Sequence, residues 1–217
     1  LEIAMNRREF FSIAIAGAGT AAVGLGLGRA EAAQPHPSTA KTLEEALSVR
    51  QSIREYAPLD LPEALLLRLL WAACGVNRPA SGKRTAPSAY NRQEVSVYVA
   101  RRDGLFFFDC KAGALRGKSG ADLRAATGRQ AYVATAPVNL VYVADMNRVA
   151  GGSQDEKTLT AGLDTGYISQ NVYLFCAAEG LATVARTGLD HEALHKTMGL
   201  AAGERVIMAQ CVGYPKG

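Results

Sequence analysis

The chain is poor in the residues that metal and nucleic-acid chemistry draw on. Its 217 residues include three histidines, one tryptophan and four cysteines. Cys74, Cys110, Cys176 and Cys211 form no C-x-x-C pair and no histidine clusters with them, so no metal site is expected. No run of like charges occurs, and the net charge is only +4. That leaves no electrostatic footprint for DNA or RNA, and no nucleic-acid partner is expected. No internal repeat is visible either. What remains is an ordinary globular composition, 48% hydrophobic and 20% charged, sufficient for one domain with a substantial core.

The first residues read as a leader. Asn6-Arg7-Arg8-Glu9-Phe10-Phe11 sets an arginine pair before a stretch without charge from Phe10 to Gly28, and Ala30-Glu31-Ala32 follows as a small-x-small cleavage site. These are the parts of a secretory signal, and the arginine pair favours the twin-arginine route. Met5 is the expected start. An uncleaved membrane anchor is the competing reading; the many glycines and the cleavage site favour removal, leaving no stable membrane span. The expected organisation is a twin-arginine signal peptide over 1–32, a linker over 33–41 and one domain over 42–217, with the mature protein in the periplasm. Export in folded form suits a protein that takes up a cofactor in the cytoplasm. The periplasm permits disulfides, but Cys176 lies in an apolar helix pattern and Cys211 in an apolar strand pattern, so buried free thiols are expected.

Along the domain, Thr42 and Glu45 have the spacing of a capping box for a helix to Ser48. Asp60-Leu61-Pro62-Glu63 reads as a second helix start with Asp60 as the cap, and Leu65, Leu66, Leu69, Leu70 and Ala73 share one face. Gly75 to Tyr90 reads as a polar loop. Val95, Val97 and Val99 alternate as in a half-buried strand, Gly104 suits a hairpin, and Leu105–Cys110 follows as its partner. A helix is expected over 128–134 and a buried strand over 138–144. Residues 159–181 predict the longest helix, apolar nearly all round. A strand over 183–187, a helix over 191–198 and a strand over 205–212 complete a mixed α+β sheet domain.

Two segments could carry chemistry. Arg50-Gln51-Ser52-Ile53-Arg54 places two guanidinium groups and a hydroxyl within one turn, a set matched to phosphate oxygens; by itself it reads more readily as a solvated helix end. Arg84-Thr85-Ala86-Pro87-Ser88-Ala89-Tyr90-Asn91 precedes a strand and can present polar atoms to the edge of a flat heteroaromatic ring, or be a polar turn. Together these segments resemble the nitroreductase superfamily, and within it the SagB-type branch. The resemblance runs from about Arg50 to Pro215. It rests also on Leu69-Leu70-Trp71-Ala72-Ala73, Ala136-Pro137-Val138-Asn139-Leu140-Val141, Asp164-Thr165-Gly166-Tyr167-Ile168-Ser169-Gln170-Asn171 and Gly213-Tyr214-Pro215.

The resemblance implies a nitroreductase-like α+β fold, a central, mainly antiparallel sheet flanked by helices, and a homodimer with two FMN sites formed across the interface. It implies that Arg50, Gln51, Ser52 and Arg54 hold the phosphate and ribityl end of FMN, with Lys216 as a basic phosphate ligand. Pro87, Ser88 and Asn91 would line the isoalloxazine ring. Gln170 and Asn171 would lie on the helix that packs against its twofold mate, as interface hydrogen bonds. The chain departs from the family in three places. It stops at Gly217, where relatives often carry a longer tail. Arg186 stands where a small or apolar residue is common; it reads evenly as a flavin or substrate contact and as a surface arginine at a strand end. Tyr90-Asn91-Arg92-Gln93 is closer to general nitroreductases and points away from azoline oxidation.

The implied activity is ping-pong hydride transfer, by an FMN-dependent oxidoreductase, on a small organic substrate such as a nitroaromatic or a quinone. Tyr90 and Arg186 are the candidate substrate contacts, and no nucleophile or general base is demanded. The electron donor is open, because nicotinamide cofactors are scarce outside the cytoplasm. A flavin-binding protein without turnover and an azoline dehydrogenase acting on peptides are the alternatives.

Overall fold

The computed structural model describes residues 41–217. The expected leader and all but the last residue of the expected linker lie outside the described residues. The chain enters through α1 (Leu43–Val49), closed at its start by the expected capping box: Thr42 Oγ1 accepts from the Glu45 amide at 3.2 Å, and Glu45 Oε2 accepts from the Thr42 amide at 2.7 Å. Helix α2 (Glu63–Cys74) buries the expected face, with Leu66, Leu69, Leu70 and Ala73 inaccessible to solvent. Its cap differs from expectation. Pro62 is still extended (ψ 139°) and itself occupies the cap position without a side-chain bond, so Asp60 stands too far upstream to reach the first-turn amides.

The segment expected as a polar loop contains a small hairpin, β1 (Val76–Arg78) and β2 (Lys83–Arg84), turned by Gly82 at φ 63°. Six further strands form the main sheet: β3 (Val95–Arg101), β4 (Gly104–Asp109), β5 (Ala114–Ser119), β6 (Val138–Asp145), β7 (Ala182–Arg186) and β8 (Glu204–Gly213). Their order is β5-β4-β3-β6-β8-β7, and every neighbouring pair is antiparallel. Strand β5 was not expected. Its exposed Arg116, Gly117 and Lys118 give no alternation, as befits an edge strand protected by charge.

Because β-strand side chains alternate, the central β6, Val-Asn-Leu-Val-Tyr-Val-Ala, is buried on both faces. Leu140, Tyr142 and Ala144 join Val97, Val99 and Phe108 under α2 and the long helix α4 (Gln154–Glu179). Val141 and Val143 join Tyr98, Leu105 and Val206 under α5 (His191–Met198). Burying one such aliphatic side chain is worth about 1.5–3 kcal/mol, so these two layers carry most of the stabilisation. The short α3 (Ala131–Thr135) packs Val133 with Ala182 and Val184 of β7 and Cys211 of β8.

Helix α4 starts five residues earlier than the apolar pattern predicts. Ser153 and Glu156 form a second capping box, with Glu156 Oε2 also accepting from the Gly152 amide. It ends at Gly180, in the left-handed conformation at φ 71° that glycine adopts without penalty. Arg68 of α2 clamps to Glu179 of α4 at 2.5 Å. Inside, Gln210 is wholly buried yet satisfied. Its carbonyl accepts from Tyr142 and Ser169 hydroxyls, and its amide donates to Thr183 Oγ1, so β6, α4, β7 and β8 share one closed polar network. All four cysteines are buried free thiols. Among the described residues no helix is long and apolar enough to cross a membrane.

Candidate functional site

After α1 the chain straightens and runs beside β7 and the end of β8. The Ile53 amide donates to Thr183 O at 3.0 Å, Tyr56 bridges Pro215, and the Lys216 amide donates to Glu55 O at 3.2 Å. Buried Tyr56 anchors the segment, its hydroxyl donating to Ile53 O at 2.9 Å. The fold thereby sets Lys216, at the other end of the sequence, alongside the Arg50–Arg54 segment. Ser52, Arg54 and Lys216 are exposed and Arg50 is half-buried.

Tyr173 of α4 orders this corner. Its hydroxyl accepts from the Ala185 amide at 2.9 Å and shares a hydrogen bond with Ser52 Oγ at 2.9 Å, while the Arg50 guanidinium lies 5.4 Å from its ring centroid, within cation–π range. Sequence reading missed Tyr173, one apolar position among many in a helix. Beside it a cavity of about 180 Å³ is lined by Val49, Gln51, Ile53, Tyr173 and Thr183.

The second candidate segment lies elsewhere, against the first half of α4. The Ala89 amide donates to the Asp164 carboxylate at 2.8 Å, and Ser88 Oγ accepts from the Gln93 amide at 2.9 Å. Gln93 Nε2 donates to Gly82 O and Asn91 Oδ1. Tyr90, Asn91 and Gln93 all have positive φ, 52°, 54° and 52°, a conformation that non-glycine residues adopt at a cost of about 1–3 kcal/mol each. The bonds to Asp164 and within the loop hold that strain, and they push Tyr90 outward to 89% exposure. Pro87 and Asn91 are also exposed.

Beneath the loop sit two buried carboxyls that sequence reading did not single out, Glu94 and Asp164. Among the described residues no other group donates to either Glu94 oxygen. Burial, and next the Asp164 carboxyl, raise the Glu94 pKa to about 7, against smaller opposing pulls from its own backbone amide and from Arg148. A protonated Glu94 facing the Asp164 carboxylate accounts for both observations.

The structure overturns the surface reading of Arg186. It is 6% exposed, and its guanidinium donates to Thr127 O, Thr127 Oγ1, Asn139 Oδ1 and Cys211 Sγ. Four of its five N–H groups are thus used inside the chain, which leaves at most one donor for any ligand. Of the expected interface pair, Gln170 is exposed, but Asn171 donates to Ala73 O at 3.3 Å and ties α4 to α2 of its own chain.

The arrangement can therefore do two separate things: offer cations and a hydroxyl at the β7–β8 edge, and offer a strained, polar loop farther along α4. Their anchors on that helix, Tyr173 and Asp164, are nine residues apart, a rise of about 13.5 Å.

Comparison with known proteins agrees with this fold. A crystal structure from Ralstonia eutropha JMP134, named among the nitroreductases, superposes with a TM-score of 0.80 at 37% identity, over 85% of this chain and 88% of that one. A Methanocaldococcus jannaschii protein, also carrying a nitroreductase name, is 32% identical over 155 residues, 66% of this chain and 77% of its own length. A shorter match, 33% identical over 96 residues, joins 41% of this chain to 40% of the NADPH-flavin oxidoreductase of Vibrio harveyi. The model of the nitroreductase family matches residues 47–214, so the chain belongs to that family and is an oxidoreductase.

Proposed function

We propose that this oxidoreductase holds FMN between two copies of the chain. Arg50, Gln51, Ser52, Arg54 and Lys216 of one copy would take the phosphate and ribityl end, and Pro87, Ser88 and Asn91 of the other would line the ring. The observation that carries this reading is the gathering of Lys216 with the Arg50–Arg54 segment by backbone bonds to Glu55 and Thr183. Guanidinium and ammonium groups beside a serine hydroxyl match a phosphate dianion. The cavity at Tyr173, about 180 Å³, is smaller than the roughly 300–1,000 Å³ of a typical cofactor pocket. One chain therefore supplies part of a site, and a second copy would complete it.

When bound, FMN supplies hydride chemistry. The chain's work is to hold and tune it. Tyr90, exposed on the strained loop, would be the contact for a small organic substrate, a nitroaromatic or a quinone. The Vibrio harveyi relative's name pairs NADPH with a flavin, and a nicotinamide donor is accordingly one candidate here beside a quinol or a redox protein. Steady-state reduction of nitroaromatics and quinones, with each donor class in turn, tests the activity. Turnover with at least one pair is expected; bound flavin without any turnover would support a binding protein instead.

We also propose that the chain is nearest the SagB-type branch, on the Arg84-Thr85-Ala86-Pro87-Ser88-Ala89 block, and that the mature protein is periplasmic. The arginine pair Arg7-Arg8 before an uncharged stretch supports the second reading. Changing both to lysine is expected to leave the precursor in the cytoplasm; undiminished processing and periplasmic yield would contradict it.

A further inference from the structure

Helix α2 ends at Cys74, and Cys110 follows directly on β4. Packing of helix on sheet brings their sulfurs to 3.4 Å. Cys74 is wholly buried, whereas Cys110 is 9% exposed and lines a surface depression of about 200 Å³ together with Arg84, Asp109 and Lys111. Arg84 also lines the pit on the inner side, with Cys74, Pro87, Ser88 and Asp164. One arginine thus stands beside both thiols, and Cys110 is the member of the pair that lines a surface depression.

The two thiols are chemically unequal. A hydrogen bond from Cys74 lowers the pKa of the Cys110 thiol; burial opposes, Arg84 helps, and Asp109 opposes weakly. The bond to Cys110 and burial raise Cys74. Cys110 is therefore the group poised to ionise, and Cys74 the one that keeps its proton until its partner has reacted. The remaining cysteines are placed differently: Cys211 accepts from Arg186, and Cys176 is wholly buried.

We propose that Cys74 and Cys110 are a redox-active dithiol, closed to an intramolecular disulfide by exchange with a small disulfide oxidant that enters on the Cys110 side. The Cys110 thiolate attacks one sulfur of the oxidant, forming a mixed disulfide and releasing one thiolate. Cys74 gives its proton to that thiolate and attacks the Cys110 sulfur, releasing the second thiolate, which takes the proton Cys110 had lost. Two protein thiols are oxidised, and the oxidant is reduced to two thiols. The sulfurs need close only from 3.4 Å to about 2.05 Å. The bond would fasten the end of α2 to the end of β4 behind the Pro87–Ser88 loop. This inference stands on the thiol geometry alone and is independent of the flavin reading.

The test starts from the folded full chain, reduced with dithiothreitol, freed of it and exposed to oxidised glutathione. Alkylation in denaturant and a non-reducing peptide map then locate every sulfur. The expected result is loss of two alkylatable thiols, with Cys74 linked to Cys110, Cys176 and Cys211 alkylated, and full reversal by dithiothreitol. Cys74→Ser is expected to keep a stable glutathione adduct on Cys110, and Cys110→Ser to take none. Four free thiols after oxidation, a link involving Cys176 or Cys211, or an adduct on Cys74 in Cys110→Ser would overturn the proposal. The wild-type map decides the pairing even if a variant does not fold.

Discussion

Glu94 enters the core with no other group among the described residues donating to its carboxyl oxygens and with Asp164 as its acidic neighbour. Its folded-state pKa of about 7 lies above the ordinary 4.5. The native state therefore keeps a proton that the unfolded chain releases, and stability falls as pH rises between about 4.5 and 7. Glu94→Gln, neutral at every pH, is expected to flatten that fall in the thermal midpoint, whereas an unchanged slope would mean that Glu94 is ionised in the fold. Arg186→Ala is expected to lose roughly 2–4 kcal/mol by leaving Thr127 O and Asn139 Oδ1 without donors. Denaturant unfolding measures the loss, and turnover per bound flavin should hold. Full stability with lost turnover would instead return Arg186 to the substrate. Neither residue could be placed from sequence. A glutamate before a strand and an arginine at a strand end look like surface charges, and what buries them, Asp164 in one case and Thr127 and Asn139 in the other, lies far away along the chain.

Helix α4 carries the proposed dimer. Leu159, Leu163 and Tyr167, spaced by four, are 64%, 53% and 47% exposed, a stripe that a second copy would cover. Charging it with Leu163→Glu and Tyr167→Glu together is expected to give a monomer by light scattering at micromolar concentration and to weaken flavin binding. A dimer that survives both changes would move the interface elsewhere. The long helices and the buried strands were legible because their apolar periods are strong: β6 and α5 stand within about a residue of expectation, and α2 and β3 within about two. Elements without a period were not. The polar first turn of α4 is set by Ser153 and Glu156, β5 is a charged edge, and β1 and β2 are too short to alternate. Asp60 had the right residue type for a cap, but the extended backbone at Pro62 moved the helix start beyond it.

At the scale of the molecule, the sequence supplied the cations and the loop but not their separation. Lys216 meets Glu55 because β8, the last strand, lies between β6 and β7, a strand order that no local pattern encodes. Tyr173 became visible only as the post between Ser52, Arg50 and β7. The central claim is that the edge built there is a phosphate site. Binding of FMN and of riboflavin, which lacks the phosphate, to wild type and to Arg50→Ala tests it most directly. A charge-assisted bond is worth about 1.5–3 kcal/mol, or about ten- to a hundredfold in affinity. Wild type is expected to prefer FMN by at least that factor, and Arg50→Ala to lose most of the preference while binding riboflavin nearly as before. Equal affinities of wild type for the two flavins would contradict the account.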